Sequence, residues 1–209
     1  MVVSGSGNGV TSSVVGIVLA AGRSSRTGLQ HKLLAKDVSG RSMIARTLGA
    51  VAASKVRDIA VILPPDRDDV VGAVDACGLP VTQLFSPDSS LGLSASLRVG
   101  LAWAEAREAE GALICLGDMP LVSADVIDAL IEEFYRTTVD VVLPEYRGQV
   151  GNPVLWNARC FAALSALSGD RGGRALLSNP AMRKATVQSE ETVTVDFDTP
   201  EMLQWFSTL

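Results

Sequence analysis

The sequence predicts an α/β fold, a three-layer sandwich in which a mostly parallel sheet lies between two layers of helices. Short, apolar, β-branched runs without polar alternation are typical of strands buried on both faces. Segments with apolar residues at helical spacing separate these runs. Alternation of the two patterns predicts parallel strands joined by right-handed crossovers. With 209 residues and 47% hydrophobic content, the chain can bury a substantial core.

The alternation is most regular over the first two thirds of the chain. The proline pair Pro64-Pro65 ends the second strand, and Ser42 is a suitable N-cap for the first helix. In chain order, the predicted elements are strand 14–18, helix 42–53, strand 58–63, helix 66–77, strand 81–85, helix 94–107, strand 112–116, helix 123–136 and strand 139–143.

The last third is less regular. We expect a hairpin or irregular strand, a helix, a late strand and a final helix, at 147–156, 157–167, 192–197 and 199–206. Thr199 followed by Pro200 is a favoured helix start. No linker or internal repeat divides residues 14–209, which are predicted to form one domain. Residues 1–13 are rich in Gly, Ser and Asn and are expected to form a disordered leader.

Composition and charge exclude several classes of protein. A net charge of −5 argues against a nucleic-acid-binding role, which needs an excess of basic residues. No apolar run is long enough to span a bilayer, and the N-terminus lacks the pattern of a signal peptide. The cysteines, Cys77, Cys115 and Cys160, are far apart, so neither a zinc site nor a disulfide framework is indicated. A cytoplasmic protein with reduced thiols is expected.

The stretch from Leu19 to Gly28 carries the clearest functional signal. Its sequence is Leu-Ala-Ala-Gly-Arg-Ser-Ser-Arg-Thr-Gly, and Lys32 follows. A strand that ends in a glycine-containing loop presents free backbone N–H groups to an anion. Arg23, Arg26 and Lys32 add three cations, which favours a nucleotide triphosphate. The stretch fits neither the Walker loop nor the dinucleotide fingerprint. A surface turn with solvated arginines is the alternative.

Acidic residues follow at two later points. Asp118 comes directly after a predicted strand, at the sheet edge where the loop also lies, and a carboxylate there suits Mg²⁺. A turn aspartate is the alternative. Asp196 and Asp198 occupy alternate positions of the late predicted strand, so their side chains should point the same way. We favour Asp196 as a second metal ligand and Asp198 as cap of the final helix, although both could simply be caps.

These segments, in this order, resemble the motifs of the sugar-nucleotide-type nucleotidyltransferases, and within them the molybdenum cofactor cytidylyltransferases. The stretch from Leu19 is similar to Leu-Ala-Ala-Gly-x-x-x-Arg-Met-Gly followed by Lys. Residues 116–122 contain the family's Gly-Asp-Met-Pro, and residues 195–201 are similar to its Asp-x-Asp-Thr-Pro-Glu-Asp. Residues 92–101 are similar to Gly-x-Ser-x-Ser-Leu-x-x-Gly-Leu.

Residues 151–154 and 169–174 match two further family segments, which would shape the acceptor side. The chain departs from the family pattern at Thr27, where Met is usual, and at Met202, where Asp is frequent. Asn152 stands where relatives often have His, which puts any role specific to histidine in doubt.

The resemblance implies a Rossmann-like fold of the nucleotide-diphospho-sugar transferase type. It implies transfer of CMP from CTP to a phosphorylated acceptor, molybdopterin, with Mg²⁺ as cofactor and release of pyrophosphate. A molybdoenzyme or its chaperone would be a further partner. The implied catalytic residues are Arg23, Arg26, Lys32 and Asp118. The implied nucleotide-binding residues are Leu19, Ala20, Ala21, Gly22, Lys32, Ser94, Ser96 and Asp118. The implied metal ligands are Asp118, Asp196 and Asp198.

Two other functions stay open at this point. Related guanylyltransferases usually have Gly at the position of Ala21, and a single methyl group shifts discrimination by only ~1–3 kcal/mol, so GTP remains an alternative to CTP. An oxidoreductase or a non-catalytic nucleotide-binding module on the same scaffold is the third candidate. His31 is expected to be a solvated loop residue, and Trp103, Trp156 and Trp205 are expected to serve packing.

Overall fold

The computed structural model describes residues 13–22, 31–86, 92–169 and 173–209. Over these residues it contains eight strands and seven α-helices. The strands are β1 Val14–Leu19, β2 Ile59–Leu63, β3 Thr82–Phe85, β4 Gly111–Leu116, β5 Val141–Tyr146, β6 Gln149–Val150, β7 Val154–Asn157 and β8 Lys184–Gln188. The helices are α1 Met43–Ala52, α2 Asp68–Asp75, α3 Leu93–Glu105, α4 Ala124–Arg136, α5 Phe161–Ser165, α6 Arg174–Leu177 and α7 Pro200–Phe206.

All eight strands form one sheet, in the order β3-β2-β1-β4-β7-β5-β6, with β8 paired to β5. The pairs β1–β2, β2–β3, β1–β4 and β5–β8 are parallel. The strand β7 lies antiparallel between β4 and β5. The predicted α/β fold with a mostly parallel sheet is therefore confirmed. Because β1 and β4 are parallel neighbours, the loops that leave them open on the same edge of the sheet.

Helices cover both faces of the sheet, as the alternating pattern predicts. Side chains of α1, α2 and α4 form one buried cluster with one face of β1. Side chains of α3 and α5 form a second cluster with its other face. The approach of α3 to β1 is close, because a Cβ at Gly100 would lie 2.5 Å from Cγ2 of Ile17. Because α3 follows β3, which runs parallel to its neighbour β2, its N-terminus lies on the side of the carboxyl edge of the sheet.

The last third of the chain corrects several predictions. Residues 192–197 form no strand; a short 3-10 helix, Glu191–Val193, lies there instead. The strand that the sequence analysis missed is β8, whose exposure alternates along its length. The expected hairpin exists, but its first strand is β5, which lies before residues 147–156. Arg147 and Gly148 link β5 to β6 with positive φ, the geometry of a tight hairpin turn.

One further element differs from the prediction. The helix expected at 157–167 is a 3-10 turn, Ala158–Cys160, followed by the short α5. The expected leader lies outside the described residues except for Ser13, whose amide donates to the hydroxyl of Tyr135 at 2.8 Å. In the described part of the chain, no helix is long and apolar enough to cross a membrane.

Candidate active site

The end of β1 provides the base of the candidate site. Leu19, Ala20 and Ala21 are buried and Gly22 is exposed. The carbonyl of Leu19 accepts a hydrogen bond from the amide of Gly117 at 2.9 Å. This bond joins the carboxyl ends of β1 and β4, so the predicted loop and the residue after Gly117 lie at one edge of the sheet.

Asp118 is held at that edge by the peptide before it. The amide of Gly117 donates to Leu19, and the carbonyl of Gly117 accepts a hydrogen bond from Oγ1 of Thr47 on α1 at 3.0 Å. A Cβ at Gly117 would lie only 3.2 Å from the carbonyl oxygen of Leu19, which explains a glycine at this close approach. The backbone that carries the Asp118 carboxylate is therefore fixed from two sides.

Lys32 connects the two acidic segments. It begins a 3-10 helix, Lys32–Leu34, and its ammonium forms ion pairs with Oδ2 of Asp118 and, at 2.5 Å, with Oδ1 of Asp198. The side chains of Lys32 and Asp118 are 17% and 20% exposed. Burial alone would lower the pKa of Lys32, but the charges and hydrogen bonds of Asp118 and Asp198 outweigh it and leave the pKa raised. Lys32 is therefore a firmly charged cation between two carboxylates.

Asp196 lies close to this cluster without sharing Lys32. Partial burial raises the pKa of Asp196, and the like charges of Asp198 and Asp118 raise it further. The positive charges of Arg174, the first residue of α6, and Lys32 act in the opposite direction. A carboxylate with a raised pKa beside two others favours an added cation.

The donor set suits a magnesium ion that takes most of its ligands from elsewhere. Among the described residues, no group of three His, Cys, Asp or Glu side chains could hold a metal ion. Mg²⁺ typically binds one or two carboxylates and completes its shell with phosphate oxygens and water. The residues present fit such an ion, and they do not form a dedicated protein-only cage.

The structure overturns the local reasoning for Asp198. Residues 196–198 lie outside any strand, so strand alternation does not set their directions. The cap of α7 is Thr199, whose hydroxyl accepts from the amide of Met202 at 3.3 Å. The expectation that Asp198 caps this helix is wrong, and its ion pair with Lys32 shows what its carboxylate does instead.

Ser94 and Ser96 lie in the first turn of α3, at the same edge of the sheet. Both are buried, with residue exposures of 1% and 4%. Within the described residues, Oγ of Ser94 has no hydrogen-bond partner, which is unusual for a buried polar group. Ser86, which follows β3, carries a second buried hydroxyl that finds no partner in the part of the chain that the structure describes. Two buried hydroxyls with unused hydrogen-bonding capacity therefore lie near the predicted nucleotide side.

His31 does not match its predicted environment. It is only 4% exposed. Its ring nitrogens form hydrogen bonds with the backbone of Gly22, before Lys32 in the chain, and of Leu33, directly after it. The sequence analysis treated it as a solvated residue, because an isolated histidine carries no periodic signal. Arg23 and Arg26, which the sequence analysis places at the triphosphate, lie outside the described residues. Trp103 and Trp156 are buried as expected.

Trp205 is 41% exposed and stacks on Phe197, with ring centroids 5.7 Å apart. The stacking places Trp205 against the segment that carries Asp196 and Asp198. All three tryptophans thus contribute packing, the last of them at the surface.

The order of these features along the chain agrees with a known family. The model of the MobA-like NTP transferase domain matches residues 16–187. The chain belongs to this family. The matched part contains β1 to β8 apart from the first two residues of β1 and the last of β8. It includes Lys32 and Asp118, whereas Asp196 and Asp198 follow it.

Three kinds of curated relative illustrate the breadth of this MobA-like group. The purine catabolism protein PucB of Bacillus subtilis is 27% identical over 196 residues, which cover 90% of this chain and 93% of PucB. The 3-deoxy-manno-octulosonate cytidylyltransferase of Pelodictyon phaeoclathratiforme is 30% identical over 159 residues, 70% of this chain and 61% of that enzyme. Bifunctional GlmU proteins match over a much smaller share of their length, 24% for that of Sinorhizobium medicae at 31% identity.

Among solved structures, Rv0371c of Mycobacterium tuberculosis has the same fold. It superposes with a TM-score of 0.77 at 26% identity, covering 92% of this chain and 96% of Rv0371c. The complex of Rv0371C with manganese superposes with a TM-score of 0.74 at 22% identity, covering 94% of this chain and 98% of Rv0371C. The family match and the cytidylyltransferase relative support nucleotidyltransferase activity, and the Rv0371c structures support the fold. The nucleotide, the acceptor and the metal of this chain are left to be determined.

Proposed function

We propose that this nucleotidyltransferase transfers CMP from CTP to a phosphorylated acceptor, molybdopterin, and releases pyrophosphate in the cytoplasm. The observation that carries the proposal is the ion pairing of Lys32 with both Asp118 and Asp198 at the carboxyl edge of β1 and β4. This edge is where ligands of open α/β sheets bind. A cation beside carboxylates there suits a triphosphate that arrives with a divalent ion.

In this reaction a phosphate oxygen of the acceptor attacks the α-phosphorus of CTP, and the bond to the β-phosphate breaks. No enzyme nucleophile is needed, so the protein contributes positioning and charge neutralisation. Lys32 would hold the triphosphate and the leaving pyrophosphate. Arg23 and Arg26 would add charge beside it. The backbone at Ala21 and Gly22 would approach the nucleotide from the end of β1.

Asp118 and Asp196 are the residues proposed to hold the divalent ion. Asp118 is fixed by the peptide of Gly117, and Asp196 lies within the field of Asp118 and Asp198. Asp198 would keep Lys32 in place. When bound, Mg²⁺ supplies charge neutralisation on the phosphate oxygens and a template for the leaving group. A structure of Rv0371C, which has the same fold, is a complex with manganese, and this supports a divalent cation in the proposal.

Two observations favour CTP over GTP. Ala21 carries the methyl group that the resemblance associates with cytidylyltransferases, and it is 3% exposed at the end of β1. A curated relative is itself named a cytidylyltransferase. Ser94 would offer its unpartnered hydroxyl to the base or ribose, with Ser96 beside it. Since one methyl group sets only a modest preference, the nucleotide must be measured.

The test uses purified full-length protein, molybdopterin, MgCl₂ and either CTP or GTP. Pyrophosphate release is followed with a coupled assay, and the product is identified by mass spectrometry. The proposal predicts pyrophosphate and a cytosine dinucleotide of the acceptor, together with tighter calorimetric binding of CTP than of GTP. Guanine dinucleotide as the main product would overturn the choice of CTP. Transfer to other phosphorylated acceptors but not to molybdopterin would overturn the choice of molybdopterin as the acceptor.

A parallel arm addresses the oxidoreductase alternative. The same protein is incubated with nicotinamide and flavin cofactors, and their absorbance is recorded. Hydride transfer without pyrophosphate release from any triphosphate would replace the proposed reaction with that alternative.

A further inference from the structure

We infer that His31 is a positioning residue for Lys32: its buried ring ties the end of β1 to the turn that presents the Lys32 ammonium to the site. The inference rests on the proposed function in one respect, the contact of Lys32 with the triphosphate. It concerns a residue that neither the family motif nor the proposed reaction uses.

Two hydrogen bonds define the state of the His31 ring. Nε2 lies 2.9 Å from the carbonyl oxygen of Gly22, and a carbonyl can only accept, so Nε2 carries the proton. The amide of Leu33 donates to Nδ1 at 3.4 Å, so Nδ1 is unprotonated. The ring is therefore neutral and uses both nitrogens. Burial lowers the pKa of His31, against the opposing effect of the Gly22 carbonyl, which keeps this state at neutral pH.

These bonds reach both sides of Lys32. Gly22 follows β1, where the nucleotide is proposed to bind, and Leu33 is buried in the cluster beneath α1. The carbonyl of His31 also accepts from the amide of Leu34 at 2.9 Å. The backbone of Lys32 is thus held between a buried leucine and a ring anchored to the strand end. A long, flexible lysine side chain benefits from such an anchor, because a misplaced backbone would move its ammonium away from Asp118.

The two nitrogens can be tested separately. In His31→Asn, the short amide oxygen can still cap the amide two residues on, as Asx turns do, but the side chain is too short to reach Gly22. In His31→Gln, the longer amide can place an N–H donor where Nε2 lies. Gly22 is exposed, so its carbonyl can be solvated when the ring is lost, and both variants are expected to fold.

A matched control separates positioning from stability. Ser42 caps α1 by accepting from the amide of Ala45 at 3.3 Å and lies outside the proposed nucleotide and metal contacts. Ser42→Ala removes one backbone hydrogen bond, as His31→Asn does, without touching the Lys32 turn. Melting curves establish that the variants are folded before any affinity is compared.

The experiment measures binding of inorganic pyrophosphate with MgCl₂ by calorimetry, and the KM values for CTP and for the acceptor. His31→Asn should weaken pyrophosphate binding and raise the KM for CTP by about fivefold, the effect of one net hydrogen bond, with the acceptor KM unchanged. His31→Gln should restore both values to within about twofold, and Ser42→Ala should match the wild type.

Unchanged pyrophosphate affinity in His31→Asn, an equal loss in Ser42→Ala, or failure of His31→Gln to rescue would each overturn the inference. Absence of pyrophosphate binding by the wild type would overturn it as well. Wild-type protein that binds pyrophosphate without transferring nucleotide would overturn the proposed reaction alone, and the calorimetric series would still decide the role of His31.

Discussion

The ammonium of Lys32 lies 2.5 Å from Oδ1 of Asp198, although 166 positions separate the two residues in the chain. The family match ends at residue 187, so Asp198 lies beyond the matched part of the chain and still reaches the candidate site. The segment between β8 and α7 therefore completes the candidate active site. A chain ending before it would lose one of the two carboxylates that hold Lys32, and it would lose Asp196.

Metal and nucleotide should stabilise the protein together. Two carboxylates bind Mg²⁺ poorly without phosphate oxygens, so CTP with MgCl₂ should raise the melting temperature more than either alone. At a ligand concentration of about 100 Kd the gain is ~2.7 kcal/mol, or roughly 5–10 °C for a domain of this size. Differential scanning fluorimetry measures it. Equal stabilisation by CTP in the presence of a chelator would show that the carboxylates are structural.

The two C-terminal carboxylates should be separable by their effects. Asp196→Asn should raise the Mg²⁺ concentration for half-maximal pyrophosphate release by at least about tenfold, since even outer-shell partners of a metal cause losses of this size. Asp198→Asn should instead raise the KM for CTP, because Lys32 loses a partner, and leave the Mg²⁺ midpoint near the wild-type value. Magnesium titrations at saturating CTP make the comparison. The reverse pattern would assign the metal to Asp198.

Asp37 should make stability depend on pH in the acid range. Its carboxylate accepts from the hydroxyl of Ser39 at 2.7 Å and from the amide of Arg41 at 2.9 Å, and it pairs with Arg46. The hydrogen bond from Ser39 lowers the pKa of Asp37 by more than burial raises it. The amide of Arg41 and the charge of Arg46 lower it further, so the pKa of Asp37 falls from 3.8 to about 2.

A lowered pKa contributes stability above the unfolded value and loses it as the pH falls toward the folded value. The contribution of Asp37 should therefore be complete above about pH 5 and fade between about pH 4 and 2. Urea unfolding of wild type and Asp37→Asn across this range tests it. The gap between the two midpoints should be widest near neutral pH and should narrow in acid; a gap independent of pH would refute the assignment.

Gly151 should tolerate no side chain. A Cβ there would lie 2.2 Å from the carbonyl oxygen of Val193, a backbone atom that cannot move aside cheaply. Gly151→Ala should cost about 1–3 kcal/mol, as overpacking typically does. Gly72, inside α2, has nothing within 4 Å of the corresponding position, so Gly72→Ala should stabilise by up to about 1 kcal/mol. Chemical denaturation of both variants checks that the two substitutions change the free energy of unfolding in opposite directions.

Much of the fold could be predicted because it rests on local patterns. The runs that became β1, β2 and β4 are short, apolar and largely buried, and α4 has its apolar residues on one face. The strand β8 escaped prediction because it alternates between exposed and half-buried residues and carries Lys and Gln. Its pairing with β5 is a tertiary contact that no local pattern encodes.

Part of the geometry of the candidate site could also be anticipated from the sequence. The sequence singles out Lys32 as one of three cations in or beside the loop after β1, and Asp118 as the residue that comes directly after a strand at the same edge of the sheet. The capping role expected for Asp198 was wrong, since a Thr next to it takes the cap and leaves the carboxylate to a lysine far away in sequence. The burial of His31 depends on how its loop folds back on the end of β1, and the proximity of Arg174 to Asp196 is a tertiary contact, so no local pattern reveals either environment.

The most direct measurement is pyrophosphate release from CTP by wild type and Asp118→Asn, with MgCl₂ and the phosphorylated acceptor. Glu132→Gln is the matched control, because Glu132 lies in an exposed ion pair with Lys55. Asp118→Asn should lower turnover by at least about 100-fold, the scale of a lost transition-state contact, with an unchanged circular dichroism spectrum, while Glu132→Gln keeps wild-type turnover. Wild-type turnover in folded Asp118→Asn would contradict the proposed mechanism.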